Sequence, residues 1–166
     1  MTRRMKAVIV LGVGFLNFAT AQAAQFQKLG KAVSTVLGSP KATKRTVSAG
    51  GQTADVFTLK GANGSADRYA FVQKGLYPPN CTHTWVVGVD PKKNTILDIQ
   101  VVEMSCPHAY PTKENSFLSQ YKGKGPADVK TLSTSIMTVS KATGSADLTT
   151  KAVERSILGA ISLKGK

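Results

Sequence analysis

The sequence predicts an α+β domain: a mostly antiparallel sheet with an N-terminal helix, a short inserted helix and a C-terminal helix. Short β-leaning runs follow one another from Thr43 to Met104, split by turn residues. Apolar residues recur at helical spacing at both ends of that region. One pair of runs is separated by so short a turn that the two must lie antiparallel. Strands grouped in the middle with helices outside them give this class rather than alternating β and α units.

The chain opens on "MTRRMKAVIVLGVGFLNFATAQAA". Arg3, Arg4 and Lys6 precede an apolar run from Ala7 to Phe18, and Ala21-Gln22-Ala23 fits the small-x-small pattern that signal peptidase reads. The run is too short to span a bilayer, so residues 1–24 read as a secretory signal peptide. Residues 25–166 then form a single domain in a periplasmic or other extracytoplasmic location. An uncleaved N-terminal anchor is the alternative.

Residues 25–37 put Phe26, Leu29, Val33, Val36 and Leu37 on one stripe, and Gly38-Ser39-Pro40 stops that helix. "TKRTVS", "ADVFTLKG" and "RYAFVQKG" are strand-like pieces between Gly-rich turns. "THTWVVGVD" and "NTILDIQVVEM" flank "PKK", with Asp90 and Asn94 at the turn's edges, and form the clearest hairpin. "PTKENSFLSQYKGKG" reads as a short helix begun by Pro111 and Thr112 and ended by glycines. "STSIMTVS" reads as a strand. The last helix is expected from about Thr149 to Leu163, burying Val153, Ile157, Ala160 and Ile161.

The chain has 22 Lys and Arg against 9 Asp and Glu; three of the basic residues lie in the signal, leaving about +10 on the domain. That charge suits a polyanion, an anionic membrane surface or an acidic protein partner, and attracts any phosphate ligand. It equally describes a solvated lysine surface. Apart from Lys92-Lys93 the lysines are scattered singly and not clustered, which argues against nucleic acid as partner.

Cys81 and Cys106 are the only cysteines, His83 and His108 the only histidines, and each pair is spaced Cys-x-His at the far ends of the hairpin. If Asp90 pairs with Thr95, Cys81 falls opposite Met104, with Cys106 one diagonal step away on the same face. A disulfide is the first expectation for two such cysteines in an exported chain. A Cys2His2 metal site and two free thiols are the alternatives.

Residues 143–150, "TGSADLTT", place Thr143, Gly144, Ser145, Thr149 and Thr150 just ahead of the last helical stripe. A helix start carries unpaired N–H groups and partial positive charge, which attract anions, phosphate above all. Gly144 permits close backbone approach, and Lys141 and Lys151 add charge. Simple N-capping by Asp147 or Thr149 explains the same residues.

From about Asp67 to Leu163 the chain resembles the FMN-binding domain family, which includes exported flavin subunits of sodium-pumping NADH:quinone reductase and of the Rnf complex. The segments "FVQKG", "WVVGVDPKKNTILDIQVVE", "HAYPT", "SFLSQYKGKG" and "KATGSADLTTKAVERSI" stand in the family's order. The resemblance implies a periplasmic FMN-binding protein acting in electron transfer with membrane or periplasmic electron-transfer proteins. It implies phosphate held at Lys141, Thr143, Gly144, Ser145, Ala146, Thr149 and Thr150, and the ring contacted by His108 and Tyr110. Covalent members carry a Ser/Thr-Gly-Ala-Thr-x-Ser/Thr turn and attach FMN through a threonine. Here Asp147 stands at that position, so the flavin is expected to be held non-covalently. The alternatives are a cofactor-free basic docking module and a metal-binding protein built on the two Cys-x-His pairs. No Ser/His/Asp set, no paired catalytic acids and no GxGxxG are present, which argues against an independent hydrolase.

Overall fold

A computed structural model describes residues 24–49 and 51–164, so residues 1–23 of the expected signal segment lie outside it. The fold is α+β, with a six-stranded antiparallel sheet between an N-terminal and a C-terminal helix.

The strands are β1 (Ala24–Gln25), β2 (Thr43–Ala49), β3 (Gln52–Lys60), β4 (Ala66–Tyr77), β5 (Cys81–Asp90) and β6 (Thr95–Met104). Strands β2 to β6 form a meander, and β1 pairs with the outer edge of β6, giving the order β1-β6-β5-β4-β3-β2. Helix α1 (Leu29–Leu37) lies on one face and helix α4 (Thr143–Lys164) on the other. Between β6 and α4 the chain makes a 3-10 helix (Pro107–Lys113), α2 (Asn115–Leu118), a second 3-10 turn (Ser119–Tyr121) and α3 (Leu132–Ser135).

Both sheet faces are covered, which explains why Trp85 to Val89 are all buried instead of alternating. Val33, Val36 and Leu37 of α1 pack on Ala70, Val72 and Val86. On the opposite face Phe71, Trp85, Val87, Ile99 and Met104 meet Ala152, Val153, Ile157 and Ala160 of α4. Helix α1 comes so near the sheet at Gly88 that a Cβ there would lie 2.5 Å from Val36 Cγ1. Gly38 closes α1 in the left-handed conformation (φ 69°), its N–H reaching the carbonyls of Ser34 and Thr35.

Five expectations need correction. The N-terminal helix starts at Leu29, not at residue 25, because Gln25 pairs with Glu103 as part of β1. The expected inserted helix is broken into 3-10 and α pieces around Pro111 and Glu114. "STSIMTVS" is not a strand: Leu132–Ser135 is a helical turn, and the Met137 N–H and C=O bond to the side-chain amide of Gln120 instead of a neighbouring strand. The last helix begins at Thr143, two turns earlier than expected. Ile161, expected in its core, is 40% exposed.

Candidate functional site

Two β-bulges set the geometry of the hairpin's open end. Asp90 pairs with Thr95 as expected, but the register shifts between Gly88 and Val89 and again between Thr84 and Trp85. Each shift adds one residue to β6, so Met104 ends opposite His83, not Cys81. Cys106 is thereby carried level with Cys81, and the two form a disulfide with a Cα–Cα distance of 5.5 Å.

Ser105 reinforces the same junction. Its N–H donates to the Thr82 carbonyl (3.0 Å). Its hydroxyl accepts from the Thr82 N–H (2.7 Å) and donates to the Asn80 carbonyl (3.2 Å). His108 is exposed, and one of its ring nitrogens lies within 4.8 Å of the sulfurs of Cys81 and Cys106.

The structure does not bring together the four ligands of the alternative Cys2His2 site. His83 is 1% exposed and stacks on Trp85, with ring centroids 5.2 Å apart. Its Nδ1–H donates to the Cys81 carbonyl (3.1 Å), and Nε2 accepts a hydrogen bond from the Ser145 hydroxyl (3.0 Å), which assigns the neutral tautomer. Burial holds the imidazole below the usual histidine range, against the pull of the Cys81 carbonyl; nearby His108 lowers it further. His83 is thus a bracket between sheet and helix.

The hydroxyl-rich segment is also different from its expected form. Ser145, Ala146, Thr149 and Thr150 lie on the buried face of α4, under the sheet. Thr149 donates to the Ser145 carbonyl (2.9 Å) and Thr150 to the Ala146 carbonyl (3.1 Å). Thr150 Oγ1 in turn accepts from the Tyr121 hydroxyl (2.8 Å). The expectation that Ser145, Thr149 and Thr150 offer free hydroxyls is therefore corrected: their protons are spent inside the fold. Lys141 and Thr143 are exposed, Lys141 in the left-handed conformation (φ 64°) that turns the chain into α4. Gly144 lies against the ring of Tyr77; a Cβ there would stand 2.3 Å from the ring edge. Tyr110 is half-buried, with its ring edge-on to Phe26 at 5.2 Å.

What the fold does assemble is a groove of about 710 Å³ where the end of β4 passes the first turns of α4. Leu76 and Leu148 are its apolar walls, and Lys74, Lys151 and Arg155 its cations. Gly75 lines it too; a Cβ there would stand 3.0 Å from the Trp85 ring and 3.6 Å from Leu148. Lys74 and Lys151 are exposed and form no salt bridge among the described residues. Arg155 is half-buried, bonded to the Gln52 side chain and to the Lys74 carbonyl, while its Nε has no partner. Burial lowers its pKa, and neighbouring Glu154 works the other way. Glu103 gives the far side of the groove one negative charge.

Lys74 and Arg155 were not singled out from sequence. Arg155 could have been found, since Lys151 and Arg155 are four apart on a helix and must share a face. Lys74 could not, because only the β4–α4 packing sets it beside them. No protein-family model, curated protein or solved structure matches the chain.

Proposed function

We propose that the protein binds FMN non-covalently in the groove between β4 and α4 and carries electrons outside the cytoplasm. One observation carries the reading: a mononucleotide-sized groove sets three cations beside two leucines. The order of motifs resembling the FMN-binding domain family supports FMN as the ligand, though not its place in this groove.

The donors differ from those the motif suggested. Lys151 and Arg155 rise from α4 and Lys74 from β4, so a phosphate between them meets charge from two elements. Leu76 and Leu148 exclude water from one face of a flat ring. Glu103 stands across the groove, where it discourages a second anion. Attachment through Thr149 is disfavoured by its burial, and Asp147 offers a carboxylate where covalent members have a hydroxyl. The bound flavin supplies one- or two-electron chemistry; the chain orients it and tunes it by nearby positive charge.

Fluorescence-quenching titration tests this, with FMN and with riboflavin, which lacks the phosphate. FMN should bind at least tenfold more tightly than riboflavin, and Lys151→Glu should remove most of that preference. Thr149→Ala should leave FMN affinity unchanged. Absence of quenching, or equal affinity for both flavins, would overturn the proposal in favour of a cofactor-free module that docks by its basic surface.

A further inference from the structure

The disulfide end of the hairpin holds a second arrangement that the groove does not use. Cys81 is buried at the start of β5, Cys106 is half-buried just past β6, and His108 stands exposed in the first turn of the following 3-10 helix. One ligand atom from each falls inside a 4.8 Å cluster. Three ligands around one zinc-sized ion stand roughly 3.5 to 4 Å apart, so the His108 nitrogen needs to close little, while the two sulfurs must separate from bonding distance once reduced.

The geometry points to a three-ligand site, Cys81 Sγ, Cys106 Sγ and a His108 ring nitrogen, for a thiophilic d10 ion such as Zn2+, available only when the disulfide is reduced. Oxidised sulfurs share their electron pairs in the S–S bond and do not serve as thiolate ligands. A dithiol or phosphine reductant supplies two electrons and is itself oxidised; the S–S bond breaks and each sulfur takes up a proton. The ion then displaces both thiol protons on binding.

Two features favour this over a merely structural bridge. First, the sulfurs are held together by more than their own bond. The three hydrogen bonds of Ser105 to Asn80 and Thr82 tie the ends of β5 and β6, and the Ala109 N–H donates to the Cys106 carbonyl (3.0 Å). The thiols therefore stay poised after reduction. Second, His83 is excluded by its bonds to Cys81 and Ser145, leaving His108 as the nitrogen ligand. The exposed side of His108 leaves a fourth position to water, as in zinc sites with three protein ligands.

The test uses the whole domain, oxidised or reduced with a phosphine, titrated with Zn2+ against a chromophoric chelator, with Co2+ as spectroscopic probe. The reduced protein should bind one equivalent, show thiolate-to-Co2+ charge transfer and gain thermal stability on adding Zn2+. The oxidised protein should bind none. His108→Ala, at an exposed position, should weaken Zn2+ binding at least tenfold while the reduced protein keeps its circular dichroism spectrum. The proposal is overturned by equal binding to the oxidised form, by His108→Ala binding as tightly as wild type, or by no binding to the reduced protein. Loss of the native spectrum on reduction would also overturn it, since Ser105 would then not hold the pair. Flavin titration of the oxidised protein reads the groove separately, so either proposal can fail alone.

Discussion

Ser145 shows how one small residue can join two layers. Its hydroxyl supplies the proton that His83 Nε2 accepts, and its carbonyl takes the Thr149 proton. Ser145→Ala leaves a buried imidazole nitrogen without a donor, at a cost of about 1 to 2 kcal/mol. Urea unfolding should show that loss. Gly88 acts by having no side chain. A Cβ there meets Val36 and, at 3.3 Å, the Asp98 carbonyl, so α1 must lift or the strand must bend. Gly88→Ala should destabilise by about 1 to 3 kcal/mol, measured by the same unfolding experiment.

Helix α4 decides how much of the candidate site could be read from residue order. Its buried face runs Ser145, Ala146, Thr149, Thr150, Ala152, Val153, Ser156, Ile157, Gly159, Ala160 and Leu163, neighbouring pairs recurring at steps of three and four. The spacing is helical throughout, but the first two turns are polar by composition, so a search for apolar stripes starts the helix at Thr149. The hydroxyls could be buried because partners wait for them: Tyr121 at Thr150 and Gln73 at Ser156 (3.1 Å). Those partners lie 29 and 83 residues away in sequence, beyond the reach of local pattern. The hairpin was legible to its turn, where Asp90 Oδ1 accepts from the N–H groups of Lys92 (2.7 Å) and Lys93 (3.2 Å). Its far end was not, because the two bulges leave no mark in the residue alternation. The burial of Tyr121 has its own consequence, which its bond to Thr150 partly opposes. Burial raises the Tyr121 pKa to about 12 from 10.0, so the unfolded chain gives up its phenolic proton first. The contribution, on the order of 2 kcal/mol, is complete below pH 10 and fades as pH rises toward 12. Tyr121→Phe should therefore flatten stability between pH 10 and 12 relative to wild type, as read by urea midpoints across that range.

At the scale of the molecule, the sheet is closed on both faces by helices, but its last loops are held by side chains and one covalent link. The 107–142 region contains three helical pieces of four residues or fewer, and none can stand without the sheet. The disulfide fastens the start of this region to the start of β5 across a separation of 25 residues. Loop-closure entropy sets its contribution near 3.5 kcal/mol, acting on the unfolded chain rather than on any native contact. Replacing both cysteines, Cys81→Ser with Cys106→Ser, should lower stability by about 3 kcal/mol. The unfolding slope against urea should rise, because an unlinked chain exposes more surface when it unfolds. Ser105 and its partners remain in that variant, so the folded hairpin and the groove proposed to hold flavin should persist. A variant that keeps native circular dichroism and flavin affinity with a lowered urea midpoint fits this division. One that loses the groove together with the bridge would mean that the covalent link, not the bulged register and Ser105, positions β4 against α4.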